Sequence, residues 1–210
     1  MTSITQALIN VKTEVLDADP ERELLVLIHG SGSNEHGLFE MVPAMPRRYA
    51  FALPRGIVAK GPAFEWFDPE LDAAEAKNQA AESIETWLGS ERFPHPNRPI
   101  SLLGFSQGAG VVLELLKRNT GKFRKAVLMS YAEDPGAYTE ADAISADESG
   151  NRPEVFWGYD PNDNAFSASI FEGFHGWLSA NTNLMRIEYA GIGHGFDEQE
   201  KEDIADFLRS

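Results

Sequence analysis

A serine between two glycines is the residue of this chain best suited to nucleophilic chemistry. Residues 100–111 form a short apolar run, then Gly-Phe-Ser-Gln-Gly, then a second apolar stretch, with Ser106 at the turn between them. A strand-to-helix turn of this kind lifts a hydroxyl above the sheet, and the flanking Gly104 and Gly108 give it room. The start of the following helix adds unpaired N–H groups that favour an oxyanion. Ser106 is the predicted nucleophile.

A serine hydroxyl needs a base to accept its proton, and the sequence offers five histidines. His194 stands in Gly-Ile-Gly-His-Gly, directly after the last predicted strand. Glycines let such a loop fold the imidazole over the carboxyl ends of the strands, so His194 is the predicted base. His29 is expected to order its own loop. Solvated rings are expected for the other three: His36, His95 and His175.

The base needs a carboxylate to orient it, and two aspartates follow the strand predicted after the nucleophile helix. Asp160 lies nearer the end of that strand, whereas Asp163 directly precedes Asn-Ala-Phe and a predicted helix. Either could instead be a turn residue or a helix N-cap, which are common roles for aspartate. The residues alone leave both open.

A second glycine-rich turn follows an early apolar run in residues 24–37. It lacks the third glycine of a dinucleotide fingerprint, because Glu35 stands there, and it lacks the Gly-Lys of a phosphate-binding loop. What remains is His-Gly-Ser-Gly after a strand, where α/β-hydrolases place their second oxyanion donor. The predicted donors are the backbone N–H groups of Ser31 and Gln107.

Short apolar runs alternate along the chain with segments of helical character. Continuous hydrophobicity over a few residues is typical of strands buried on both faces of a parallel sheet. The predicted strands are 24–28, 49–53, 100–103, 126–129, 155–157 and 184–189, and the predicted helices are 73–88, 109–118, 168–180 and 201–209. This alternation predicts an α/β fold with a mostly parallel central sheet and helices on both faces. The polar segment 133–153 is predicted to be a surface excursion over the sheet edge.

The composition narrows the functional classes. The chain has 210 residues and a net charge of −15, so one domain over 1–210 is expected, with neither a nucleic-acid partner nor stable membrane association. No cysteine is present, which excludes thiolate chemistry and disulfides. Without a His-Glu-x-x-His motif or clustered carboxylates, we expect neither metal nor cofactor. The sequence leaves open whether the protein forms a homodimer. The first eleven residues do not read as a signal peptide, so a cytoplasmic location is expected.

With serine, aspartate and histidine in that order, the sequence resembles the phospholipase/carboxylesterase family of α/β-hydrolases. This group contains small bacterial carboxylesterases and the related acyl-protein thioesterases. The resemblance rests on residues 28–38, 53–56, 64–68, 104–108, 155–158 and 191–195. Similar members carry the acid five residues after the glycine of a Phe-Trp-Gly strand end, which implies Asp163 here, with Asp160 as the alternative. The resemblance also implies an α/β-hydrolase fold, and a chain of this length leaves no space for a large lid domain.

The predicted function is hydrolysis of short-chain or aryl carboxylic esters, with a small-molecule ester as partner. Ser106, Asp163 and His194 would form the catalytic triad of an acyl-serine mechanism. Acyl thioesterase or lysophospholipase activity with the same triad is the alternative, followed by a small-ligand binder without catalysis. The predicted substrate contacts are Phe64, Trp66 and Phe166, because they flank the proposed catalytic loops; for Phe105 a core position is favoured.

Overall fold

The computed structural model describes residues 13–16, 22–90, 98–118, 121–147 and 149–210. The strands are β1 Thr13–Leu16, β2 Glu23–Ile28, β3 Tyr49–Pro54, β4 Val58–Lys60, β5 Ala63–Glu65, β6 Ile100–Phe105, β7 Phe123–Met129, β8 Glu154–Tyr159 and β9 Asn183–Glu188. The α-helices are α1 Ala73–Leu88, α2 Gln107–Arg118, α3 Ala168–Asn181 and α4 Glu198–Arg209. Short 3₁₀ turns cover Phe39–Ala44, Pro135–Ala137 and Glu140–Asp142.

Seven strands form one sheet in the order β1-β3-β2-β6-β7-β8-β9. The strands from β3 to β9 in this order run parallel, and β1 pairs antiparallel with β3 at one edge. Parallel strands bring their carboxyl ends to one side of a sheet, which is where ligands bind in such folds. The turns after β2, β6, β7, β8 and β9 therefore meet on one side.

Two hydrophobic cores cover the two faces of the sheet. Successive side chains of a strand point to opposite faces, and β2 divides accordingly. Its residues Leu24, Val26 and Ile28 pack with α1, α2 and α3, while Leu25 and Leu27 pack with α4 and the 3₁₀ turn at 39–44. Because both faces are covered, β2 is apolar and buried at consecutive positions from Leu24 to Ile28, as the continuous run in the sequence predicts.

The predicted mostly parallel sheet with helices on both faces is confirmed, and each predicted strand and helix is present. No observed bound differs from the predicted one by more than three residues, and Tyr189, predicted as the last residue of a strand, lies just beyond β9. The sequence analysis did not find β1 or the β4–β5 hairpin. Segment 133–153 connects the neighbouring strands β7 and β8 through two 3₁₀ turns, so it does not cross a sheet edge. Within the ranges described, none of the helices has the length and apolar character needed to cross a lipid bilayer.

Glu200 in the first turn of α4 makes the stability of the fold depend on pH. Its side chain is fully buried, and neither carboxylate oxygen has a hydrogen-bond partner among the described residues. Burial, with smaller contributions from Asp197 and Asp203, raises the pKa of Glu200 to about 8 from an ordinary value of 4.5. Between these values the unfolded chain loses this proton and the folded chain keeps it. The free energy of unfolding should therefore fall as pH rises, by about 1.4 kcal/mol per pH unit from this group.

Glu200→Gln should remove this pH dependence. Glutamine keeps the size of the protonated side chain and cannot ionise, so the variant should gain stability relative to the wild type at pH 8 and much less at pH 5. Urea unfolding at both pH values measures the difference. Glu202→Gln, exposed on the same helix, is the matched control: it keeps Glu200, so its stability should keep the pH dependence of the wild type, and its difference from the wild type should change little between pH 5 and pH 8. Equal differences for the two variants at both pH values would contradict the assignment.

Candidate active site

Ser106 occupies the turn between β6 and α2 in a left-handed backbone conformation, with φ of +52°. This conformation is strained for a residue with a side chain, and its hydroxyl faces the loops beyond the sheet. A Cβ on Gly104 would collide with the carbonyl of Gly108, and a Cβ on Gly108 would collide with the carbonyl of Ile28. Both glycines are thus required by close backbone approach, which holds the turn against the end of β2.

The structure brings the three residues of the predicted triad together. His194 Nε2 lies 2.8 Å from Ser106 Oγ, and His194 Nδ1 lies 2.7 Å from Asp163 Oδ2. The other Asp163 oxygen accepts the backbone N–H of Ala165 at 2.9 Å, so the carboxylate is held from both sides. The Asp163 side chain is 2% exposed, whereas the His194 side chain is 39% exposed. This arrangement can pass a proton from the serine to the imidazole and stabilise the imidazolium through the buried carboxylate.

Asp160, the alternative acid, lies beneath the loop of His194. Its Oδ2 accepts the backbone N–H groups of Gly191 and Gly193 at 2.8 and 2.7 Å, and its Oδ1 accepts that of Asn162 at 2.8 Å. Hydrogen bonds from Asn162 and then Gly193 are the main causes that lower the pKa of Asp160. The partners of this carboxylate are Asn162 and the backbone amides of Gly191 and Gly193, whereas the partners of Asp163 include the imidazole.

The register of β2 and β6 brings the two predicted oxyanion donors to neighbouring strand ends. Ile28 of β2 pairs with Gly104 of β6, and Ser31 and Gln107 each lie three positions further on. The Gln107 amide is the first of α2, where N–H groups have no intrahelical acceptor. In the part of the chain that the structure describes, neither amide is assigned a protein acceptor. A ligand oxygen that reached either N–H group could accept a hydrogen bond from it.

The loop of Ser31 is fastened to the β4–β5 hairpin. Gly32 donates its N–H to Phe64 O at 3.0 Å, and Phe64 donates its N–H to Ser33 O at 2.8 Å. The Ser31 hydroxyl donates to Glu65 Oε1 at 2.9 Å. The sequence analysis missed the hairpin and so missed this support, which holds the loop still and costs the proposed donor no reorganisation when charge develops.

Two further contacts tie the turns after β2 and β6 to the segment after the hairpin. The side-chain oxygen of Gln107 accepts the backbone N–H of Trp66 at 2.6 Å, and Trp66 Nε1 donates to His29 O at 2.9 Å. His29 Nε2 in turn accepts the N–H of Gly56 at 2.9 Å, while its Nδ1 lies 2.7 Å from Gly30 O. Burial lowers the pKa of His29. A neutral ring with its proton on Nδ1 satisfies both bonds, in agreement with the expected loop-ordering role.

Two further histidines lie among the described residues, and neither makes a contact with the triad. His36 is exposed beside Glu35, at 3.8 Å, and its ring packs edge-on against Phe39. His175 is half-buried, with its ring 6.4 Å from that of Trp157. His95 lies outside the described residues.

The predicted substrate contacts divide between surface and core. Phe166 is half-buried with its ring centroid 6.3 Å from that of His194, and Phe64 is half-buried beneath the Arg55 guanidinium at 4.4 Å. Trp66 is 0% exposed, so this conformation gives a substrate no access to its ring, and the expected contact with Trp66 is corrected to a core position. Phe105, for which a core position was favoured, is half-buried against the second core, 5.5 Å from the His194 ring.

The described residues contain no candidate metal-binding site. Within them, no group of three or more histidine, aspartate or glutamate side chains is arranged to hold a metal ion.

Solved structures share this architecture over nearly the whole chain. A carboxylesterase from Bacillus cereus superposes with a TM-score of 0.79 at 20% identity, covering 99% of each chain. Acyl-protein thioesterase 2 from Zea mays superposes with a TM-score of 0.69 at 17% identity, covering 95% of this chain and 98% of its own. Together with the sheet order and the turn at Ser106, these likenesses define an α/β-hydrolase fold.

The sequence comparisons identify the family within this fold. Residues 12–210 match the family model described as Phospholipase/Carboxylesterase. The esterase YpfH of Escherichia coli strain K12 is 24% identical over 203 residues, which covers 90% of this chain and 83% of that protein. The chain belongs to the phospholipase/carboxylesterase family, as the resemblance predicts, and it is a carboxylic ester hydrolase.

Proposed function

We propose that the protein hydrolyses short-chain or aryl carboxylic esters through an acyl-serine intermediate. The observation that carries the proposal is the 2.8 Å contact between His194 Nε2 and Ser106 Oγ, with Asp163 at 2.7 Å from Nδ1 of the same ring. Ser106 Oγ attacks the ester carbonyl while His194 Nε2 takes its proton. Asp163 accepts the Nδ1 hydrogen, which keeps Nε2 free as the base and stabilises the imidazolium.

The tetrahedral intermediate carries its negative charge on the former carbonyl oxygen. The backbone N–H groups of Ser31 and Gln107 are the proposed donors to this oxygen, and their fixed loops need no rearrangement as charge develops. The intermediate collapses when the bond to the alkoxy oxygen breaks and His194 returns the proton to that oxygen. An alcohol leaves, and the acyl group stays on Ser106.

Water completes the reaction by the same proton path. His194 Nε2 takes a proton from a water molecule, whose oxygen attacks the acyl carbonyl. When the second intermediate collapses, the bond to Ser106 Oγ breaks and the imidazolium returns the proton to that oxygen. The products are a carboxylic acid and an alcohol, and the enzyme is regenerated without a cofactor.

The size of the substrate is inferred from the openness of the site. The His194 side chain is 39% exposed, and the half-buried rings of Phe105 and Phe166 flank it at 5.5 and 6.3 Å. These rings offer apolar walls for a short acyl or aryl group. A site open to solvent buries little of a long chain, and each added methylene left in water contributes nothing to binding.

A panel of nitrophenyl esters tests the substrate class. We expect kcat/KM to be highest for short acyl chains and to fall or level off well before about ten carbons, because added methylenes stay in water. Thioesters and lysophospholipids with matched acyl groups form the second arm, since the same triad attacks them.

A net charge of −15 disfavours anionic lipid surfaces, so we propose that the protein acts on a free small-molecule ester in the cytoplasm, without a nucleic-acid partner.

Two outcomes would contradict this substrate class. The first is a kcat/KM that rises steadily with acyl length beyond about ten carbons, which would require a deep acyl tunnel. The second is a kcat/KM for the thioester or the lysophospholipid that exceeds that of the matched oxygen ester by more than about tenfold, because the leaving group would then decide specificity.

A further inference from the structure

The loop that carries His194 is held from below by side chains at the ends of two neighbouring strands. We call residues 191–195 the histidine loop. Asp160 follows β8 and accepts two N–H groups of the histidine loop, those of Gly191 and Gly193. Ser130 follows β7 and donates its hydroxyl to Gly195 O at 2.7 Å. Contacts therefore lie on both sides of the imidazole along the chain.

The Asp160 contacts suit the unusual backbone of the histidine loop. Gly191 and Gly193 adopt φ of +93° and +61°, and no other atom lies within 4 Å of a Cβ built on either glycine. They are glycines because of backbone conformation, since space is free around them. A loop of this kind has no strand or helix to fix its shape, so the shared carboxylate oxygen of Asp160 supplies the fixed point.

Ser130 joins the histidine loop to the turn of the nucleophile. Its side chain is fully buried, and its φ of +47° makes it, with Ser106, one of two described non-glycine residues in the left-handed region. The preceding residue, Met129, accepts the Ser106 N–H at 2.9 Å. The dipeptide Met129–Ser130 thus binds the nucleophile turn through a carbonyl and the histidine loop through a hydroxyl. Backbone strain of this kind persists where surrounding contacts require it.

We propose that Asp160 and Ser130 are positioning residues, which set the distance between His194 Nε2 and Ser106 Oγ by fixing the backbone of the histidine loop. Neither residue touches the reacting atoms. This inference rests on the proposed function, because it assigns His194 the role of base. Loss of either contact would let the loop drift, and a displacement of about 1 Å at a catalytic group can cost on the order of 10²-fold in rate.

The Asp160 variants separate hydrogen bonding from charge. Asp160→Ala removes both loop contacts and should lower kcat by about 10²-fold, with KM changed less than about threefold. Asp160→Asn can place its carbonyl oxygen at the Oδ2 position and keep both loop contacts, while it loses the bond to Asn162. Its kcat should therefore stay within about tenfold of the wild type. Ser130→Ala loses one contact and should lower kcat by about tenfold.

Asp147 offers a matched control, because its carboxylate also accepts backbone N–H groups but lies at the other end of the sheet. Asp147 accepts the N–H groups of Ser149 and Asn151 in a turn before β8, near the amino ends of β6 and β7. Asp147→Ala removes two similar contacts and should leave kcat unchanged. Thermal unfolding of every variant shows that kinetics are measured on folded protein. If Asp160→Ala does not fold, Ser130→Ala and Asp160→Asn still test the proposal.

An NMR readout separates this proposal from the proposed function. The His194 Nδ1 proton, held by Asp163, should give a slowly exchanging imidazole resonance in the wild type and a broadened one in Asp160→Ala and Ser130→Ala. This signal does not need turnover, so positioning can be tested even if the wild type hydrolyses no ester. A sharp, unshifted resonance in both variants, or a kcat for Asp160→Ala equal to that of Asp147→Ala, would overturn the proposal. Equal losses for Asp160→Asn and Asp160→Ala would overturn it as well, because charge would then be the cause.

Discussion

Ser106→Ala should lower kcat for a short nitrophenyl ester by about 10⁶-fold. Without the hydroxyl, no acyl-serine forms, and what remains is the contribution of the oxyanion donors and of substrate binding, worth about 10³-fold over water in a comparable triad. The wild-type side chain lies 2.8 Å from His194 Nε2, and alanine leaves the left-handed turn and its glycines in place. Steady-state kinetics together with labelling by a fluorophosphonate probe measure the effect: the probe should modify the wild type at Ser106 and leave the variant unlabelled.

Two further variants make this prediction specific. Ser145→Ala alters an exposed serine of the β7–β8 connection and should retain wild-type labelling and kcat. The double variant Ser106→Ala/His194→Ala should be no slower than Ser106→Ala alone, because members of a triad act as a unit and their effects do not add. If the probe labels Ser106→Ala as well as the wild type, the serine mechanism is wrong, and a hydrolase fold used for ligand binding becomes the better explanation.

The sequence predicts the central sheet well because burial on both faces leaves a strong signal. The central strands contain continuous apolar runs, as in Leu24–Ile28 and Tyr49–Leu53, and their side chains are buried in the two cores. The elements that were missed carry no such signal. The edge strand β1 has four residues and each hairpin strand has three, so neither contains enough periods of any pattern.

Residue spacing alone does not determine which of two aspartates contacts the imidazole of His194. Asp160 and Asp163 stand three residues apart after the same strand, and both carboxylates are buried and hydrogen-bonded to backbone. Which one meets the imidazole depends on the path of the loop between them, a property that residue types do not encode locally. The family resemblance favours Asp163, and the structure shows what the residues alone could not: Asp160 lies under the glycines of the histidine loop.

The position of Trp66 shows a different limit. Its position beside the proposed catalytic loops predicts a substrate contact, but its side chain is fully buried and its Nε1 donates to His29 O. Large aromatic side chains near a site bury more apolar area in the core than in an open cleft. Sequence proximity to catalytic loops therefore overestimates contact with substrate. The side chains of Ser31 and Gln107 were similarly missed as supports, because their partners lie in the hairpin region.

Asp163→Asn should lower kcat by about 10⁴-fold with little change in KM. The amide that replaces the carboxylate can present its NH₂ group to Nδ1, which stabilises the tautomer with its proton on Nε2 and so removes the base from Ser106. The backbone bond from Ala165 can stay on the remaining oxygen, so the turn should keep its shape. The loss should also depend on pH: if the missing function is proton acceptance by the imidazole, kcat should recover part of its value at alkaline pH, where hydroxide can replace the base.

The comparison with Asp160→Asn distinguishes the two carboxylates by magnitude and by pH. Both substitutions remove one negative charge from the same region, so a general electrostatic effect on the imidazolium would reduce kcat to a similar extent in each. Orientation through Nδ1 belongs to Asp163 alone, since 2.7 Å separates its Oδ2 from that nitrogen, whereas Asp160 binds backbone amides. We therefore expect the loss for Asp160→Asn to be at least about 10³-fold smaller, without alkaline recovery. The reverse order would make Asp160 the acid and would require the histidine loop to adopt a different path in solution.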